Sequence, residues 1–211
     1  MTLAKQLQEQ KERIRCEFPD HFPTLVDGAV LEFQQYKFNS LRTGDRMPTF
    51  TLPNQNREMV NVASLLSQGP LVVSFYRGTW CPFCQLELNA YVQVLPAITA
   101  LGANLIGISP QRSRPGQTPP PEGITLLWDK RNQIARQLGL VIQVPKYLDQ
   151  ALQEIGHNIR EVNEDESVEL PIPATYVVEP DGKIIYDFVD VDFTRRADPV
   201  EIVTVLRRIT V

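Results

Sequence analysis

Cysteine is scarce in this chain, with three residues in 211, and histidine and tryptophan occur twice each. Three cysteines are too few for the disulfide framework of a small secreted domain. A zinc centre would need Cys16, His21 and His157 to join one Cys-x-x-Cys pair, and their spacing forms no second ligand pair. No metal and no other cofactor is therefore expected. No stretch approaches the roughly 18 apolar residues of a membrane span. The N-terminal residues 1–10 are polar and lack the apolar centre of a secretory signal, so a cytoplasmic location is expected. Lysine and arginine are scattered, and the formal net charge is −4, which argues against nucleic-acid and membrane-surface partners because both need a basic patch. No internal repeat is present either.

What the chain does contain is enough apolar sequence, 43%, for one sizeable core and an extension. Leu3, Leu7, Ile14 and Phe18 share one sector at 3.6-residue spacing, as do Leu25, Ala29, Phe33 and Tyr36, with Pro19 and Pro23 between the stretches. Two amphipathic helices are expected, making residues 1–40 a helical extension that either packs on the main domain or contacts a second copy in a homodimer. Composition changes at Thr43-Gly44-Asp45-Arg46-Met47-Pro48, and the main domain is expected over 41–211.

Within it, residues 49–52 and 59–62 suggest a short hairpin. The nearly continuous apolar runs 71–75 and 104–109 flank a helical segment from residue 84 to about 101, the pattern of a βαβ unit with buried parallel strands. Pro96 is expected to kink or interrupt that helix. Residues 110–123, rich in proline and glycine, read as a loop. A strand over 125–129, a helix over 132–138 that stops at Gly139 and a helix over 147–159 follow. Two β-rich runs, 175–179 and 183–189, surround Pro180-Asp181-Gly182 and predict a hairpin. Asp198-Pro199 then caps a last helix. The fold class is α/β, with a central mixed sheet flanked by helices.

The chemistry concentrates in Arg77-Gly78-Thr79-Trp80-Cys81-Pro82-Phe83-Cys84, placed where the apolar strand turns into a helix. Two cysteines three apart on a helix share a face, and their Cα atoms fall within the roughly 4.4–6.8 Å that a disulfide needs. The first turn of a helix offers unpaired N–H groups and the positive end of the dipole, which favour a thiolate. Cys81 and Cys84 are therefore the catalytic candidates. Trp80 and Phe83 would shield the thiols. Cys16 faces away from the apolar stripe of its helix, as an exposed thiol would, and His157 suits a helix end.

This order of elements, with Trp80-Cys81-Pro82-Phe83-Cys84 at the turn and Pro171-Ile172-Pro173-Ala174-Thr175 before the hairpin, resembles the thioredoxin fold over about residues 41 to 209. Residues 44–53, 75–87 and 106–111 resemble the AhpC/TSA peroxiredoxin family, and more narrowly its peroxiredoxin-like branch with a Cys-Pro-aromatic-Cys turn. The resemblance implies a thiol-dependent peroxidase that reduces hydrogen peroxide or organic hydroperoxides and is recycled by thioredoxin or a similar thiol reductant. The sequence departs from the family pattern Pro-x-x-x-Thr-x-x-Cys: Arg77 stands for the proline and Cys81 for the threonine, while Cys84 takes the peroxidatic position. Thr79 is the candidate to replace the lost hydroxyl. The arginine of a later strand is matched by Pro173, so Arg77, Arg195 or Arg196 must supply the missing cation, with Arg77 favoured as adjoining the motif.

Pro173 also resembles the cis-proline that faces the cysteines of thioredoxins, and Glu87 matches the family's acidic helix position and would orient the turn. By family position Cys84 attacks peroxide and Cys81 resolves; by position at the helix end the order reverses. A thioredoxin-like disulfide oxidoreductase, with Cys81 as nucleophile and Pro173 aligning the partner, is the alternative. A non-catalytic thioredoxin-fold binding module would leave the Cys pair unexplained.

Overall fold

The computed structural model describes residues 1–112 and 123–209. Two helices open the chain, α1 over Leu3–Glu17 and α2 over His21–Phe33; two helices are what the apolar spacing predicts, but Phe18 and Tyr36 lie just past their ends and Pro23 falls in the first turn of α2. Thr2 caps the first, its hydroxyl accepting from the Lys5 amide at 3.4 Å. Strands β1 (Thr51–Pro53) and β2 (Met59–Asn61) pair antiparallel, with Leu52 opposite Val60. The second strand ends one residue earlier than expected. Asn61 accepts from the Ala63 amide at 2.8 Å and starts helix α3 (Val62–Leu66), so Val62 is helical.

The βαβ unit follows: β3 (Leu71–Phe75), α4 (Pro82–Ala100) and β4 (Asn104–Ser109). The helix continues through Pro96, contrary to the expected interruption. Pro96 lies on the exposed side, where water can satisfy the carbonyl that loses its donor, while Leu88, Tyr91 and Ile98 hold the helix against the sheet. After β5 (Thr125–Trp128), a short 3₁₀ turn leads into α5 (Gln133–Gln137) and β6 (Val141–Gln143). Most of the expected loop, residues 113–122, lies outside the described residues.

The single helix expected over 147–159 is instead two, α6 (Lys146–Glu154) and α7 (Ile159–Asn163). Gly156, at φ +87°, takes a left-handed turn that stops the first, and Asn158 caps the second. Strand β7 (Glu169–Pro171) pairs with β6, a contact between segments too short to announce themselves. The predicted hairpin forms from β8 (Ala174–Val178) and β9 (Ile184–Val189), and α8 (Pro199–Ile209) closes the described chain, with Asp198 accepting from the Val200 amide at 2.9 Å.

The main sheet has the order β5-β4-β3-β8-β9, parallel across the first three strands and antiparallel beyond them. It is the mixed sheet that the sequence predicts. Every residue of β3 is buried because helices cover both faces, which explains its unbroken apolar run. One core gathers α4, α8 and the buried Leu3 and Leu7 of α1 against Val72 and Val177. The opposite core gathers Phe22, Ala29 and Phe33 of α2 with α5, α6, Val73 and Tyr176. The N-terminal hairpin thus packs into both cores, α1 against α4 and α2 against α6.

Candidate active site

The site is built on the turn between β3 and α4, at the carboxyl end of a central strand, where open α/β sheets place their sites. Tyr76 continues the sheet by donating its amide to Ile108 at 3.0 Å. The chain then needs Gly78. At φ +147° a Cβ there would lie 2.5 Å from the Trp80 indole nitrogen and 2.6 Å from Gln111 Oε1. The Cys81 amide closes the turn on the Gly78 carbonyl at 3.2 Å. Cys81 is the N-cap of α4, Pro82 occupies the first turn, where its missing N–H costs nothing, and Cys84 follows within that turn.

Both thiols are free and fully buried, whereas Cys16 is free and exposed. The exposed thiol expected at Cys16 is found, whereas the depth of the Cys81–Cys84 pair is not apparent from the sequence. Thr79 is held by Gln111: its amide donates to Gln111 Oε1 at 2.6 Å and its hydroxyl at 3.2 Å. Gln85 reaches back to the Thr79 carbonyl. The Thr79 hydroxyl is thus engaged in bracing the turn.

The cation that reaches a sulfur is Arg196. Its Nη2 donates to Cys84 Sγ at 3.2 Å and its Nε to Glu87 Oε2 at 2.7 Å, and both charged side chains are 1% exposed. Nη1 binds the carbonyls of Phe193 and Arg195. Glu87 is therefore no solvated helix carboxylate. Its other oxygen accepts from the Tyr91 hydroxyl at 3.2 Å and the Thr175 hydroxyl at 3.4 Å, and those two hydroxyls are 2.8 Å apart. Arg195, by contrast, turns outward to Asp190 at 2.8 Å.

Arg77, the favoured cation of the sequence, is buried but touches no sulfur. Its guanidinium carbon stacks 3.9 Å from the Phe193 ring centroid and 4.8 Å from that of Trp80. It acts on the thiols through its field. The physical reason for the correction is geometric: Arg77 is committed to the aromatic faces beside it, while Phe193 and Ala197, both buried, draw Arg196 inward.

Electrostatics divides the pair. Burial opposes ionisation of Cys81, but the adjacent Cys84 thiol, Arg77 and Arg196 together hold it well below the usual thiol range. Burial and the neighbouring Cys81 charge push the Cys84 thiol well up, against the pull of Arg196 and Arg77. The two sulfurs share one negative charge, favoured on Cys81. Glu87 is raised from 4.5 to about 7, since burial outweighs its ion pair with Arg196. Tyr76, raised by burial and by Cys84, stays a neutral phenol.

Pro173 is buried beside this region, but no peptide bond among the described residues is cis, so the expected cis-proline is not found. The trans form is the ordinary state of an X-Pro bond. Phe83 packs edge-on against Phe193 at 6.0 Å in the cluster that holds both cysteines, and Trp80, packed against that cluster, contacts His157 at 5.2 Å, which brings His157 toward the site. His157 lies three residues beyond α6 rather than at its end, and burial and Arg77 lower its pKa. Among the described residues no three His, Cys, Asp or Glu side chains gather as metal ligands. No helix there is long and apolar enough to cross a membrane.

Sequence reasoning missed Gln111, Tyr91 and Thr175 and ranked Arg196 below Arg77. The one available signal was Arg196 itself, placed between two apolar residues at helical spacing, Phe193 and Ala197.

Comparison with known proteins matches this architecture. Residues 43–187 match the AhpC/TSA family model. A putative peroxiredoxin of Mycobacterium tuberculosis strain H37Rv is 28% identical over 152 residues, covering 71% of this chain and 85% of the relative. The peroxiredoxin Bcp of Escherichia coli K12 is 30% identical over 105 residues, covering 48% and 67%. Among solved structures, the peroxidoxin BcpB of M. tuberculosis superposes with a TM-score of 0.57 at 20% identity, over 80% of this chain and 98% of that one. Peroxiredoxin Q of Xanthomonas campestris gives 0.59 at 14% identity, over 83% and 100%, and these likenesses concern the thioredoxin-like fold. With a family match that runs over residues 43–187 and so spans most of the chain, the chain belongs to the AhpC/TSA family.

Proposed function

We propose that the chain is a thiol-dependent peroxidase in which Cys81 and Cys84 form the redox pair and a thioredoxin-type protein returns them to the dithiol. The observation that carries this reading is the buried chain Cys84–Arg196–Glu87 at the head of α4. A fixed guanidinium beside a thiol stabilises negative charge as it develops on sulfur.

Cys81 is the first nucleophile. Its thiolate attacks one oxygen of the hydroperoxide, the O–O bond breaks, and the other oxygen leaves as an alkoxide or hydroxide that takes a proton to become alcohol or water. Cys81 is then a neutral sulfenic acid. The charge that held the Cys84 proton is gone, Arg196 now favours the Cys84 thiolate, and that sulfur attacks Cys81 to form the disulfide, the S–O bond breaking and the departing hydroxide taking a proton from solvent to become water. Electrostatics thus orders the two ionisations. The reverse order, with Cys84 attacking first, is favoured by its direct contact with Arg196 and by the family position of Cys84.

The supporting residues act on geometry and field. Arg77 lowers Cys81, Glu87 fixes Arg196, Thr79 braces the turn through Gln111, Pro82 starts the helix, and Phe83 together with Trp80, packed on the cluster that holds both cysteines, keeps water from the sulfurs. Residues 1–40 form the extension and 41–211 the catalytic domain of a cytoplasmic homodimer, with exposed Leu31 on α2 and exposed Tyr36 just beyond its end as the contact.

Peroxide consumption with added thioredoxin should vanish in Cys81→Ser and in Cys84→Ser. Rapid-mixing mass spectrometry should find sulfenic acid in Cys84→Ser, where Cys81 is left to attack. Sulfenic acid in Cys81→Ser alone would establish the reverse order, and disulfide reduction without peroxide turnover would sink the peroxidase reading in favour of a thioredoxin-like oxidoreductase.

A further inference from the structure

Between the N-terminal hairpin and the redox turn lies a cavity of about 710 Å³. That is within the roughly 300–1,000 Å³ of pockets that enclose small organic ligands. Ile14, Phe18, Phe22 and Val26 of the hairpin form one wall, and Leu148 and Leu170 line the other side. Helices α1 and α2 lie outside the segment matched by the family model, so this chamber is made by the extension of this chain.

One part of its lining is polar. Arg77, Trp80 and His157 meet the cavity together, with Arg77 only 5% exposed. Arg77 Nε and Trp80 Nε1 are both buried donors with no acceptor. A buried donor normally finds one, because leaving it unmade forfeits its hydration without return. The lining carboxylates do not supply it. Asp192 pairs with Lys11 at 3.6 Å, Asp27 with Arg15 at 3.4 Å and Glu17 with Arg13 at 4.0 Å. Among the described residues Arg77 has no carboxylate partner, and its planar cation is held by ring faces alone. The chamber therefore lacks an apolar body joined to one compact anionic acceptor.

We propose that it binds a long-chain monocarboxylate, the hydrocarbon tail lying between the hairpin and α6 and the carboxylate accepting from Arg77 Nε and Trp80 Nε1. A carboxylate offers several lone pairs and the charge that balances a desolvated guanidinium. An alcohol head offers one oxygen and no charge, and acetate cannot fill the apolar volume. The proposal is independent of peroxide turnover.

Calorimetric titration of the reduced full chain with hexadecanoate, the corresponding primary alcohol and acetate tests it. Saturable one-to-one binding of hexadecanoate is expected, about tenfold or more tighter than the alcohol, with acetate undetectable. Arg77→Gln should erase the preference for acid over alcohol, and Trp80→Phe, which keeps the ring but removes the donor, should weaken the acid alone. Val26→Trp, filling the chamber from α2, should abolish binding of both long chains. Thermal melts verify that each variant folds; if Arg77→Gln does not, Val26→Trp and the acid-to-alcohol ratio in the unaltered chain decide. Absence of hexadecanoate binding, equal affinity for acid and alcohol, or unchanged binding in Val26→Trp would overturn the proposal.

Discussion

Arg196 and Glu87 form an ion pair without solvent, tied on one side to a thiol and on the other to Tyr91 and Thr175. Breaking such a pair by removing one partner leaves a buried charge and costs roughly 3–5 kcal/mol. Arg196→Met is expected to lose about that much stability in urea unfolding, and adding Glu87→Leu should recover part of it, because the orphaned carboxyl is then gone. Glu87 also makes stability depend on pH. Its folded value, about 7, lies above its ordinary 4.5, so between these values the folded state holds a proton that the unfolded chain has released. The contribution is fully present below about 4.5 and is lost as pH rises through about 7. It amounts to roughly 3 kcal/mol at most. Glu87→Gln should flatten that decline when urea midpoints of variant and parent are compared across the window; an unchanged slope would place the titration elsewhere.

Elements with local signals were legible from sequence, and those that depend on distant partners were not. The β8–β9 hairpin follows from Asp181-Gly182, where Gly182 at φ +88° makes the turn, and α8 follows from Asp198-Pro199. The Cys81–Cys84 turn was legible for the same reason, since strand, turn and helix cap are contiguous. Strands β6 and β7 span three residues each and exist through one another across α6 and α7, so no periodicity marks them. The site shows the same division. Its cysteines come from one turn, but Arg196 and Thr175 arrive from beyond β9 and from β8, and Arg196 differs from Arg195 only in which way it faces. The turn itself carries a prediction. Gly78→Ala would drive a methyl group into the Trp80 indole and Gln111 at a positive φ, displacing the brace on Thr79. A loss of roughly 1–3 kcal/mol is expected in denaturant titration. A change in Trp80 fluorescence should accompany it, read in a Trp128→Phe background.

At the scale of the whole molecule, the redox pair lies within a core rather than at a surface. Leu3 and Leu7 of α1, Leu88 and Tyr91 of α4 and Ile202 and Leu206 of α8 belong to the same apolar cluster as Cys81 and Cys84. The extension is therefore part of what encloses the thiols. A small peroxide can reach such sulfurs through slight fluctuations, whereas a bulky aromatic disulfide reagent must wait for the cluster to open, an event governed by local stability. The third thiol, Cys16, is exposed on α1 and has no such barrier. Dithionitrobenzoate titration of the reduced native chain should consequently show one fast thiol, absent in Cys16→Ser, and two slow ones that all become fast in denaturant. Loosening α1 with Leu7→Ala, which removes apolar contact from the shared cluster, should accelerate the slow pair while leaving the fast one unchanged. Equal rates for all three thiols in the native chain would show that the closed core does not govern access to the pair.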